Sequence, residues 1–310
     1  MRLILLILIS LVLSANGFSQ AVGTQETAPP ATTKLIAAGS EKADAARKAE
    51  VQRGSKTAKD GFQNEDEIRD KFNQWKTNTE AQAWLKAMNY EVPEILNVIA
   101  TKPHGEKSDV EVRVQTKTGE RIEGISIKLV SNSNGFNQID KRWLATYAKK
   151  WNMPADVYDT LKQFVGEVRP SKPGRSDKRL FLDELEKPVQ TTLLTFFTKH
   201  KDEIVSDLFA GDGHHAAQWM MVTLKEGVDT PTKSSHKNGG RGPESTPATA
   251  WTIRSVADAI RFYGDGEIRI TPAGSLRIGR ITMQRKGGDN GRESANMLQF
   301  KINPAELFEI

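Results

Sequence analysis

Asp109, Ser126 and Lys128 are the residues whose types and spacing could do chemistry. Ser126 and Lys128 are two apart in an alternating stretch, so both point to one face of a strand. Asp109 opens the preceding alternating stretch and can meet them across a strand pair. A carboxylate offers a hard cation an oxygen seat. A lysine beside it can orient or deprotonate an attacking water and offset developing negative charge. That combination suits hydrolysis of a phosphodiester, although charged residues on hairpins are common and the same trio also fits a solvated face. Other chemistries are excluded more firmly. With no cysteine, thiolate zinc sites, disulfides and cysteine nucleophiles are absent. Of five histidines, His214 and His215 are adjacent, diverge in either regular structure, and read as surface or capping residues rather than a metal pair.

Two neighbouring strands must position the trio. Val110, Val112 and Val114 alternate with polar residues, Lys117-Thr118-Gly119-Glu120 supplies a turn, and Ile125, Ile127 and Leu129 alternate again, which predicts a β-hairpin. Upstream, Gly61-Phe62-Gln63-Asn64-Glu65 predicts the opening of a helix with Phe62, Ile68, Phe72 and Trp75 roughly on one face. Thr77 and Glu80 have the spacing of a capping box for the next helix. Helical patterning is expected over 139–165, 189–208 and 216–224, and strands over 267–270, 276–284 and 297–302 with a turn at 271–274. The predicted class is α/β, a central mixed β-sheet flanked by helices.

The chain has 310 residues, 37% of them hydrophobic, enough for one good core. A net charge of +5 suits a polyanionic partner without identifying one. Arg2, the apolar run Leu3–Leu13 and the small residues after it have the layout of a secretory signal peptide over 1–19, with cleavage after Gly17 or Ser19. The run is too short to span a membrane comfortably. A mis-assigned start fused to a cytosolic protein is the competing reading, so the expected location is secreted or periplasmic in the first case and cytoplasmic in the second. Residues 20–53 read as a disordered linker, 54–310 as the folded domain, and 227–250, rich in Gly, Pro, Ser and Thr, as a flexible loop within it.

Five collinear blocks carry a resemblance: GSKTAKDGF at 54–62, KSD at 107–109, KLVSN at 128–132, GFNQIDK at 135–141, and RKGGDNGRE at 285–293 with MLQFK at 297–301. They closely resemble the HinP-type Type II restriction endonucleases that cut within GCGC, in the PD-(D/E)xK nuclease superfamily, over about 54–310. The resemblance implies a restriction-endonuclease-like core, Mg2+ as cofactor and double-stranded DNA as partner, with G^CGC cut to leave 5′-phosphates. It implies no membrane partner after signal removal and a monomer or weak homodimer.

Carried over by position, the resemblance implies a catalytic set of Asp109, Lys128, Ser126 and Ser108, the last in the motif's first place. Asp109, Glu65 and Ile127 would hold the metal, Glu65 from the side. Where the family has Gln, and the wider superfamily Glu or Asp, this chain has the shorter Ser126, which reaches a metal only through water. Phe136 and Gln138 match a wedge that enters the minor groove. Gln299 and Lys301, on one face of the last strand, would read base edges while Phe300 faces the core. Arg285, Lys286 and Arg292 would contact phosphates. Two alternatives stay open: a sequence-specific DNA-binding protein whose cleavage Ser126 has weakened, and an exported DNase of relaxed specificity.

Overall fold

The computed structural model describes residues 52, 54–103, 106–131, 133–172, 174–213, 215–224, 250–288 and 292–310. The expected signal peptide, nearly all of the linker and of the 227–250 loop, and His214 lie outside them. Lys56–Ile310 forms one compact unit.

The unit opens with helix α1, which runs through 56–73, and α2 (Thr79–Ala87). Gly61 lies inside α1 rather than at its start, and α2 is capped by Asn78, whose side chain accepts from Ala81 N–H, not by Thr77. Strands β1 (Ile95–Thr101), β2 (Val110–Thr116) and β3 (Gly119–Val130) follow as an antiparallel meander. Beyond β3, β5 (Trp219–Leu224) runs parallel to it and β6 (Trp251–Ser255) antiparallel to β5, giving the mixed order β1-β2-β3-β5-β6. The α/β class with a mixed sheet flanked by helices is thus observed.

A second sheet lies outside the expected plan. It is wholly antiparallel, in the order β4-β10-β9-β8-β7. Its strands are β4 (Asn137–Arg142), β7 (Ile268–Ile270), β8 (Leu276–Ile278), β9 (Ile281–Arg285) and β10 (Leu298–Ile302). Gly279, at φ +55, breaks the expected single strand 276–284 into β8 and β9, and a Cβ there would meet the Asp265 carbonyl at 2.4 Å. Between and beyond the strands lie α3 (Leu144–Lys150), α4 (Ala155–Val165), α5 (Lys187–Lys199), α6 (Lys201–Ala210) and α7 (Val256–Gly264).

Two expected helical stretches are partly strand. Residues 137–142 form β4 because β10 supplies their hydrogen-bond partners, and the helix begins only after Trp143. Residues 219–224 form β5, a nearly continuous buried run. Such a strand is covered on both faces and shows no alternation to distinguish it from a helix.

Those two faces build two cores. Ile125 and Ile127 of β3 join Met221 and Ile253 in a cluster under α1 and α2, with Phe72 and Trp84. Val130, Met220 and Val222 face the other way, into a larger cluster with α3–α7 and the second sheet. Ser126 and Lys128 therefore emerge on the side of the larger core.

Candidate active site

Asp109 directly precedes β2, and its N–H donates to Ile125 O at 2.9 Å, which sets it opposite Ser126. Its Oδ2 accepts from Ile127 N–H at 2.6 Å and lies 3.4 Å from Ser126 Oγ and 3.8 Å from Lys128 Nζ. Lys128 in turn donates to Ile127 O at 3.0 Å and reaches Ser126 Oγ at 3.4 Å. The three predicted side chains thus share one site at the floor of a cleft of about 570 Å³, walled by Gln138, Asp140 and Arg142 of β4.

Glu65 approaches from α1. That helix is fixed to the sheet where Asn73 exchanges two hydrogen bonds with Ala100 and where Thr223 Oγ1 donates to Asn64 Oδ1 at 3.1 Å. Lys102 pairs with Glu65 at 3.0 Å and with Asp66 at 3.1 Å. Burial raises the Glu65 carboxyl above its ordinary range, Lys102 partly offsets this, and the nearby charge of Asp109 raises it further. Two repelling carboxylates and the Ile127 main-chain oxygen are a hard-oxygen donor set. Among the described residues no group of three or more His, Cys, Asp or Glu side chains could hold a metal. A magnesium ion needs fewer, since it keeps waters and substrate oxygens in its shell. Ile127 has only its main chain to offer, as its side chain is buried in the smaller core.

Ser108 does not enter the cleft. It is 1% exposed and its hydroxyl donates to His215 O and Ala216 O, tying the segment before β2 to the approach of β5. Gly124 makes room for it: a Cβ there would lie 2.2 Å from Ser108 Oγ.

Of the expected DNA contacts, Phe136 is 50% exposed rather than folded onto the core, and Gln138 is exposed at the cleft wall. Phe300 is fully buried while Lys301 faces out. Gln299 shares that outer face but is only 4% exposed, its amide donating to Arg285 O and Lys286 O at 3.4 Å each. Arg285 departs from the group. It shares a strand face with the buried Ile281 and Met283, stands opposite core-facing Leu298, and donates to Asn296 Oδ1 at 2.7 Å. Lys286 stays near Lys141 and Arg292, and burial followed by those two charges lowers its ammonium's pKa.

The cleft also holds residues that spacing does not reveal. Lys107 is half-buried at the cleft, donating to Ile139 O at 2.8 Å and to Leu208 O, with Asp140 at 3.6 Å, and burial pushes its ammonium down to about 8. Arg142 bridges Asp140 at 2.8 Å and Asp207 at 2.8 and 3.1 Å. Tyr147 OH donates to Asp140, Trp151 Nε1 to Asp207, and Lys150 pairs with Asp207. Lys107 and Asp140 sit inside the matched blocks KSD and GFNQIDK; nothing in the sequence marks Lys102, Arg142 or Asp207.

A mixed sheet presenting an aspartate and a lysine from adjacent strands at a polar cleft defines a nuclease of the restriction-endonuclease type. More particularly, the model of the R.HinP1I restriction endonuclease family matches residues 88–238 and 244–308, and the chain belongs to that family. It is therefore an endonuclease whose partner is DNA. The fold is similar to a crystal structure of the restriction endonuclease MspI in complex with its cognate DNA. The two share 13% identity with a TM-score of 0.54, over 81% of this chain and 92% of that one. No curated protein sequence matches.

Proposed function

We propose that this chain is a Mg2+-dependent Type II endonuclease that cuts duplex DNA at a GCGC-like tetranucleotide and leaves 5′-phosphates. The observation that carries this reading is the approach of Lys128 Nζ to within 3.8 Å of Asp109 Oδ2 at the cleft floor. Asp109, the Ile127 carbonyl and Glu65 would hold the cation. When bound, such an ion neutralises the scissile phosphate and acidifies a water. Lys128 orients that water and offsets charge on the phosphorus oxygens, held in place by Ile127 O and Ser126. Phe136 and Gln138 would enter the minor groove, Gln299 and Lys301 read base edges, and Lys286 and Arg292 hold phosphates. The target sequence comes from the family resemblance. We further propose that 1–19 direct export and 20–53 tether domain 54–310; an intact Met1 end recovered from the cytosol would overturn the export.

Plasmid incubated with protein and magnesium tests the reading. Discrete fragments mapping to GCGC are expected, and Asp109→Ala and Lys128→Ala should abolish them while calcium-supported gel shifts persist. Stable shifts by the wild type without cutting would instead favour a binder weakened at Ser126. Cutting of DNA lacking GCGC would favour a DNase of relaxed specificity.

A further inference from the structure

The outer face of the second sheet carries a row that strand register lines up. Gln138 of β4 stands opposite Lys301 of β10, Lys301 opposite Thr282 of β9, Thr282 opposite Arg277 of β8, and Arg277 opposite Arg269 of β7. Arg277, Thr282 and Lys301 point away from the core, because their neighbours along β8, β9 and β10 are buried apolar residues, and Gln138 and Arg269 at the two ends are exposed. The row begins at the catalytic cleft, which Gln138 lines. With strands about 4.8 Å apart, its four spacings reach about 19 Å. Duplex DNA rises about 3.4 Å per base pair, so the row matches about five or six pairs, more than a tetranucleotide.

Its far end is positive with little acid beside it. Arg277 Nη1 donates to Thr282 Oγ1 at 2.9 Å, and among the described residues no carboxylate lies within ion-pair distance of it. Among the described residues Arg269 pairs only with Glu267, at 3.3 Å, and both are largely solvated. Burial first, then the charge of Arg269, lowers the pKa of the Arg277 guanidinium, with Glu306 opposing and Arg280 adding to the effect. Arginine at that position matches a phosphate oxygen in charge and fork geometry.

We infer that Arg277 and Arg269 bind backbone phosphates of the DNA flanking the target, extending the substrate contact across the second sheet to its far edge. This rests on the reading of the chain as a DNA endonuclease. These arginines hold register and add affinity outside the recognised bases, so they contribute equally to every flanking sequence.

The test is the salt dependence of binding to a calcium-supported 24-base-pair GCGC duplex, measured by fluorescence anisotropy between 50 and 200 mM salt. Removing one phosphate-binding cation reduces the log–log slope by about 0.9, so the deficit of a variant shrinks about 3.5-fold over that range. Arg277→Gln and Arg269→Gln should each show this change, Arg277→Lys should keep most of the wild-type slope, and the exposed Arg261→Gln on α7 should match wild type. Shortening the flanks to two base pairs should weaken wild type and leave the Arg269→Gln/Arg277→Gln double variant nearly unaffected. Wild-type slopes in both single variants, each melting at the wild-type temperature, overturn the inference while leaving the endonuclease reading intact. A wild type that binds no DNA removes both.

Discussion

Asp207→Asn tests whether the ion network behind the cleft holds its walls together. Asp207, on α6, has 4% of its side chain exposed and accepts from Arg142 at 2.8 and 3.1 Å, from Trp151 at 3.0 Å, and from Lys150. An amide keeps one acceptor but turns a donor toward these donors, leaving, among the described residues, Arg142 with Asp140 alone and Lys150 with the solvated Asp212 alone. Removing one partner of a buried pair costs about 3–5 kcal/mol. Because Arg142 and Lys150 keep 22% and 29% of their side chains in water, the lower end applies, about 3 kcal/mol. At roughly 2–4 °C per kcal/mol for a domain of this size, Tm should fall by about 6–12 °C at pH 7. The pH dependence gives a second readout. Burial pushes the Asp207 carboxyl up, but Lys150 and Arg142 more than offset it and hold it below its ordinary range. An unfolded aspartate titrates near about 3.9, so the stabilisation is complete above about pH 4 and is lost as pH falls through the lower folded value. The Tm gap between wild type and variant, followed by circular dichroism, should be constant from about pH 8 to 5 and narrow below about pH 4. A fall of under about 2 °C at pH 7, or a gap unchanged down to about pH 3, would refute this account of the network.

Ser126→Gln restores the longer side chain of the family at the edge of the Asp109 site and should preserve or raise the single-turnover cleavage rate; loss of cleavage in a folded variant would show that the position is not a diminished ligand slot. Lys301→Ala should relax discrimination against mismatched tetranucleotides by about 1–3 kcal/mol, roughly 5- to 150-fold, in competition gel shifts. Gln299→Ala should do the same with some loss of Tm, since its amide also holds two carbonyls at the strand edge. Lys107→Met should slow cleavage at least about tenfold, while Asp140 keeps Arg142 and Tyr147 as partners and the fold persists; an unchanged rate would mean that Lys107 only fills space.

The hairpin bearing Asp109 and Lys128 is legible in the sequence because both its strands alternate, each keeping one face in the smaller core. Val110, Val112 and Val114 all point into the smaller core. What stays hidden is hidden for physical reasons. β5 is covered on both faces, so Met220, Met221 and Val222 carry no period. β1 has exposed Leu96 and Ile99 beside buried Val98, which blurs its alternation. Residue type and spacing suggest Asp109 and Lys128 and the blocks KSD and KLVSN single them out, but Asp207 stays hidden, since its partners Arg142 and Trp151 belong to other elements. Arg285 misleads because a run of cations reads as one surface, whereas strand alternation sends neighbours to opposite faces.

The junction of the two sheets turns on one residue. In the pairing of β4 with β10, Phe300 faces Asp140 and Lys301 faces Gln138, so Ile139 is an extra residue, a β-bulge. Strict alternation would put Gln138 on the same face as Asp140 and Arg142, inside the ion network. The bulge instead moves Gln138 to the outer face, in line with Lys301, while Asp140 and Arg142 remain with Asp207 and Tyr147. The Ile139 carbonyl accepts from Lys107 at 2.8 Å, two residues before Asp109. One irregular position therefore brings Gln138 into line with Lys301 and ties the segment before β2 to the sheet bearing Gln299 and Lys301. A strand in perfect register would leave Gln138 beside Asp140 and Arg142 and off the row that Lys301 begins on β10.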